Sequence, residues 1–216
     1  MSNTININNA TKVIHGRTVL DHVTISLDRG GVYGFVGING SGKSMLFRAI
    51  SGLIHLTEGA IDVFGQRVGS DVDFPQNMGL CFESSGFWAE KSGLDNLAYL
   101  ASIRGVVGQD EAASAMARLG LDPADKRPVS AYSMGMKQRL VIAQAVMERP
   151  DLLIMDEPTN ALDVEGIATV ASIIREERER GTTVLVSSHN EPTVEALFDR
   201  TFKMEAGRAR EVTSNA

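Results

Sequence analysis

Cysteine is nearly absent from this chain, with Cys81 the only one in 216 residues. That excludes an intrachain disulfide and a cysteine-based zinc site, and it fits a reducing compartment. The lone thiol reads as a small buried hydrophobe. An excess of charge is scarce too, since 21 Lys and Arg face 27 Asp and Glu for a net charge of −6. Neutralising a phosphate backbone takes clustered basic residues, so nucleic acid is not expected as a partner. Long apolar runs are also missing, and no stretch approaches the roughly 18 to 20 apolar residues that cross a bilayer. The opening Met1-Ser2-Asn3-Thr4-Ile5-Asn6 has neither a basic nor an apolar region of the signal-peptide kind. If the protein works at a membrane, another chain must supply the span.

Hydrophobic residues make up 43% of the chain, enough for one domain with a subdomain and a sizeable core. Residues 4–7 and 19–27 alternate apolar and polar side chains and read as antiparallel strands. Residues 32–36 read as a buried strand, 44–51 as a helix stopped by Gly52, and 60–64 as a strand after a turn at Thr57-Glu58-Gly59. Residues 78–83 form a further core strand. Residues 92–120 show helical patterning through Leu94, Leu97, Tyr99 and Leu100, then Ala112, Ala115, Met116 and Leu119. A helix over 133–148 is stopped by Pro150. Residues 152–155 and 182–187 read as strands buried on both faces. Between them, 164–180 forms a helix with Val164, Ile167, Val170 and Ile174 inward. Its charged stretch, 175–180, reads as a solvated face. The tail after Gly207 is short and polar, and leaves no room for a regulatory domain.

Chemistry concentrates in four segments. Gly37-Ile38-Asn39-Gly40-Ser41-Gly42-Lys43-Ser44 follows a strand and opens a helix. Glycines there let backbone N–H groups curl around phosphates, and the helix dipole adds positive potential. Gly37, Asn39, Gly40, Ser41, Gly42, Lys43, Ser44 and Met45 are the candidate phosphate-binding residues. In this pattern Lys43 reaches the β- and γ-phosphates and the Ser44 hydroxyl binds Mg²⁺. Next comes Tyr132-Ser133-Met134-Gly135-Met136-Lys137-Gln138-Arg139. An apolar run then delivers Asp156-Glu157-Pro158 to the end of a buried strand, where ligands bind in parallel sheets. Ser187-Ser188-His189 closes the series.

Their order resembles the ATP-binding-cassette (ABC) ATPases over nearly the whole chain. The resemblance implies an α/β fold: a P-loop NTPase (RecA-like) core, an antiparallel β subdomain, and an inserted helical subdomain over 84–148 that ends in the signature helix. Residues 1–216 then form a single ABC ATPase domain. It implies ATP and Mg²⁺ as ligands, with Asp156 a Mg²⁺ ligand and Glu157 accepting a proton from the attacking water. His189 would be the switch histidine and Ala161-Leu162-Asp163 the D-loop. Ser133 and the Gly135 backbone would contact the γ-phosphate held by a second subunit in a head-to-tail homodimer or heterodimer.

The same resemblance assigns the chain to a transporter, peripheral on the inner face of the cell membrane, whose separate transmembrane permease subunits dock near residues 84–100. Phe87 and Trp88 either receive a helix of that partner or pack the subdomain core. The Tyr-Ser-x-Gly-Met-Lys-Gln-Arg segment is similar to exporters of antibiotics and antimicrobial peptides. A regulatory or non-transport cassette on a membrane complex is the alternative. Two positions depart from the family pattern. Glu83 stands for the usual glutamine and is expected still to serve the metal. Ile14, beside His15, stands where an aromatic normally stacks on adenine, which leaves ATP against GTP open.

Overall fold

The computed structural model of the chain describes residues 4–82, 86–189 and 191–212. Strand β1 (Thr4–Ile14) pairs antiparallel with β2 (Arg17–Asp28) across the two-residue turn His15-Gly16, at φ 48° and 76°. Positive φ at both turn residues matches the twist of a hairpin. β1 extends well past the expected 4–7. A bulge hides the extension: Asn9 sits at φ 52°, and Ala10 and Thr11 are both buried, which breaks the period of two.

Strand β3 (Val32–Val36), helix α1 (Lys43–Ile50) and strands β4 (Glu58–Val63) and β5 (Gln66–Arg67) follow. Gly59 lies inside β4 rather than in the expected turn. A Cβ on it would stand 2.2 Å from the Asn9 carbonyl oxygen, so only glycine fits beside the bulge. These outer strands form a sheet in the order β2-β1-β4-β5.

After β6 (Met78–Cys81) come α2 (Gly93–Arg104), α3 (Gln109–Arg118) and α4 (Met134–Val146). The helical patterning over 92–120 resolves into two helices because Gly105, at φ 63°, ends the first. Leu94 and Leu97 are buried, but Tyr99 is 48% exposed. Then come β7 (Leu152–Met155), α5 (Val164–Glu179), β8 (Thr183–Ser188), the short α6 (Pro192–Glu195), β9 (Arg200–Glu205) and β10 (Arg208–Val212).

The second sheet has the order β10-β9-β3-β8-β7-β6, parallel throughout except for the β10 edge. β7 and β8 are buried at every residue, as strands covered on both faces must be. Phe35, Phe47 and Phe202 lead the cluster on one face, with ring centroids 5.2 and 5.3 Å apart. On the other face Leu153 and Val184 join Leu97, Met116 and Leu140 of the helical block in a single cluster.

Two expectations for α5 need correction, and one segment proves ordered: the chain after Gly207, expected only to be short and polar. It forms β10, which pairs with β9 across Ala206-Gly207, and Phe202 and Met204 of β9 alternate inward. Val164 is 85% exposed, because it opens α5 beyond the packed face.

The charged stretch of α5 is not wholly solvated either. Glu177 is fully buried, one turn on from Ile174 on the same face. Its carboxylate accepts from the Arg118 Nη2 at 3.1 Å and the Arg180 Nη1 at 2.5 Å, which ties α3 to α5. Without Glu177 the charge-assisted hydrogen bonds are lost, but Arg118 keeps Glu176 at 2.8 Å and both arginines reach solvent, so the cost is about 2 kcal/mol. Glu177→Ala should lose that much stability in urea denaturation, while the exposed Glu179→Ala should stay within about 0.5 kcal/mol of the parent.

Candidate active site

A cavity of about 710 Å³ opens over the loop between β3 and α1. The loop is forced into its path by backbone contacts. A Cβ on Gly37 would stand 2.4 Å from the Met204 carbonyl oxygen, and Gly42 turns into α1 at φ 112°. No side chain caps α1, and its first turn holds no acidic residue. The N–H groups of that turn have no intrahelical partner and sit at the positive end of the helix dipole. Ser41 adds a buried hydroxyl oxygen without a hydrogen-bond partner among the described residues. A buried polar atom left so is costly, and donors gathered in this way suit an oxyanion such as a phosphate.

Lys43 is 4% exposed, and its Nζ donates to the carbonyls of Gly37 at 2.7 Å and Ile38 at 3.3 Å. The same nitrogen lies 3.4 Å from Glu157 Oε1. Strand register brings the rest together. Met155 pairs with Val186, so Asp156 emerges beside Ser187. The Ser187 hydroxyl donates to Asp156 Oδ1 at 2.6 Å and accepts from the Glu157 N–H at 2.7 Å. Glu157 takes φ 48°, which turns its side chain toward Lys43, and Asn160 Nδ2 donates to its Oε2 at 3.1 Å. Val36 pairs with Ser188, so His189 leaves β8 beside Gly37 as an exposed residue.

The cavity is lined by Asn39 to Met45, Asp156 and Glu157, all in or beside the expected segments. Ile14 and His189 are not among its lining residues; at the Ile14 end the wall is Arg17, Thr18 and Val19. Glu83 lies outside the described residues. Gln138 and Asn160 line the cavity although neither was singled out from sequence. Gln138 Nε2 donates to the Pro158 carbonyl at 3.1 Å, and its place within the signature segment was the available signal. Cys81 is buried, and desolvation pushes its thiol up to about 12, so it packs as the inert hydrophobe expected.

Ser133 and Gly135 are not among the residues that line the cavity. The Ser133 hydroxyl caps α4 by accepting from the Met136 N–H at 3.2 Å. A Cβ on Gly135 would stand 3.0 Å from the Ala161 carbonyl oxygen, so the helix start rests on the segment before α5. Arg139 Nη2 reaches Asp163 Oδ1 at 3.0 Å, and Asp163 caps α5 through the Gly166 N–H at 2.9 Å. That backbone hydrogen bond, with Arg139 beside it, holds the Asp163 carboxyl below its ordinary value.

Comparison with known proteins agrees with this geometry. The family model described as ABC transporter matches residues 20–160. An uncharacterized ABC transporter ATP-binding protein of Bacillus subtilis, YybJ, is 41% identical over 204 residues, 94% of each chain. The bacitracin transport ATP-binding protein BcrA of Bacillus licheniformis is 35% identical, covering 98% of this chain and 70% of its own length. The lantibiotic transport ATP-binding protein SrtF of Streptococcus pyogenes is 37% identical, over 90% of this chain and 84% of its own. Among solved structures, a dimeric bacterial ABC transporter cassette superposes with a TM-score of 0.87 at 22% identity, covering 98% of this chain and 99% of that one. The chain therefore belongs to the ABC transporter family, as an ATP-binding subunit of the ATPase class.

Proposed function

We propose that this cavity binds ATP with Mg²⁺, that two chains close head to tail over the nucleotide, and that hydrolysis reopens them. In this reading Lys43 and the loop N–H groups bind the β- and γ-phosphates, and His189 meets the γ-phosphate. Glu157, held between Lys43 and Asn160, accepts the proton of the attacking water. Ser44 and Asp156 both line the cavity and would hold the metal with phosphate oxygens. Magnesium, when bound, neutralises charge on the phosphates.

The observation that carries the pairing is the position of Ser133 and Gly135. Ser133 is exposed and Gly135 half-buried at the start of α4, and neither lines its own chain's cavity although Gln138, further along the helix, does. A second copy turned head to tail brings them to the γ-phosphate, so binding energy is spent on closing the pair and is withdrawn at hydrolysis.

Among the described residues no helix is long and apolar enough to cross a membrane. We therefore place the chain peripherally, on separate transmembrane subunits. Two of the three named relatives are a bacitracin and a lantibiotic transport ATP-binding protein, and export of such a compound is the reading adopted for this chain. Trp88 supports a docking surface. It is 46% exposed and lies against Tyr99 with ring centroids 4.3 Å apart, whereas Phe87 packs on the helical core.

Two experiments test these statements. Glu157→Gln should lower turnover at least about 100-fold and accumulate an ATP-bound dimer in light scattering. Lys43→Ala should lose both turnover and dimer; a Glu157→Gln chain that stays monomeric with saturating ATP removes the pairing. Trp88→Ala should weaken co-purification with the membrane subunit while the isolated chain keeps its turnover. Undiminished co-purification moves the docking surface elsewhere.

A further inference from the structure

Glu157 is held at three points by three different residues. Its N–H donates to the Ser187 hydroxyl at 2.7 Å, which fixes the backbone. Its Oε1 lies 3.4 Å from Lys43 Nζ, and its Oε2 accepts from Asn160 Nδ2 at 3.1 Å. Each carboxylate oxygen therefore has a donor of its own, and the two donors differ in permanence. Lys43 is the residue proposed to turn to the β- and γ-phosphates, whose charge draws the ammonium away from Oε1. Asn160 is neutral, so that charge exerts no such pull on its amide.

The local backbone aims Asn160 at Glu157. The Asn160 N–H donates to the Glu157 carbonyl at 3.2 Å, and the Leu162 N–H to the Thr159 carbonyl at 3.2 Å, so the chain after Glu157 coils back on itself. Ala161, at φ 61°, ends the coil ahead of α5. Asn160 lines the cavity beside Glu157. It is exposed and packs no core, and among the described residues its side-chain amide makes no hydrogen bond besides the one to Glu157.

We infer that Asn160 is the positioning residue of the general base: its amide keeps Oε2 once Lys43 has left Oε1, and so presents Oε1 to the attacking water. The inference rests on the role proposed above for Glu157. In that step the water oxygen bonds to the γ-phosphorus, the bond from that phosphorus to the bridging oxygen of ADP breaks, and the water proton passes to Oε1. A carboxylate tethered at one oxygen meets the water in one orientation, which is the part of the barrier that positioning removes.

Steady-state turnover, calorimetric titration with ADP and light scattering with ATP test it on the full chain. Asn160→Ala should lower kcat about 10-fold while KM for ATP and the ADP affinity stay as in the parent. Slower hydrolysis with intact binding should raise the share of ATP-bound dimer. Asn160→Asp, which keeps the shape but replaces the donor with a like charge, should lose at least as much kcat. On a Glu157→Gln background, Asn160→Ala should slow single-turnover phosphate release no further, because the two residues act as one unit. A raised KM with unchanged kcat would make Asn160 a nucleotide contact and overturn the inference. So would the parent's kcat in either variant, or the same 10-fold loss repeated on the Glu157→Gln background. Undiminished turnover in Glu157→Gln itself defeats the general-base reading, and Asn160 falls with it.

Discussion

Three parallel strands that end side by side are the constraint on which this site depends. β3, β8 and β7 are locked in register by ladder hydrogen bonds and by burial on both faces. A one-residue slip would send every inward side chain to the opposite face. Because no slip is tolerated, the loop after β3, Ser187 on β8 and the carboxylates after β7 arrive at a common edge. Ser187 then acts as a spacer of fixed length. Its hydroxyl donates to one acidic residue and accepts from the backbone of the next. The positive φ of Glu157 is sustained by that contact, since a strained backbone persists only where its surroundings hold it.

The loop itself is shaped from behind. Met204 of β9 crowds Gly37, and the turn at Gly207 holds Ser41, so the C-terminal hairpin braces the loop proposed to bind phosphate. This explains why a short polar terminus folds at all. β10 is an edge strand with little apolar surface, and it gains order from the paired β9, whose Phe202 stacks on Phe35.

Legibility in the sequence followed how local the cause was. The loop after β3, the acidic pair and the start of α4 are set by contiguous residues, and their positions could be read directly. The far end of β1 could not, because the bulge at Asn9 scrambles the alternation and is itself stabilised by Gly59 on another strand. Glu177 looked solvated because its neighbours are charged. Arg180 lies close in sequence, but the second arginine that makes burial tolerable comes from α3, distant in sequence. The wall at Arg17 was missed for the same reason: the turn at His15-Gly16 and the clamp from Gly207 decide which side chains face the cavity, and neither is encoded at Ile14.

Beside the apolar cluster it shares with the core sheet, the helical block meets α5 and the segment before it through polar contacts of different character. On one side Arg118 and Glu177 form a buried ionic tie between α3 and α5. At the other, Arg139 meets the exposed Asp163 at the start of α5, and Gly135 lies against the Ala161 carbonyl. An exposed pair contributes little and is screened by salt, whereas a buried pair resists rearrangement. The block is therefore held more firmly at the end of α5 than at its beginning. The end with the exposed pair is the one that carries Ser133, the residue proposed to meet a second copy, so the contact that copy would have to accommodate is the more easily rearranged of the two.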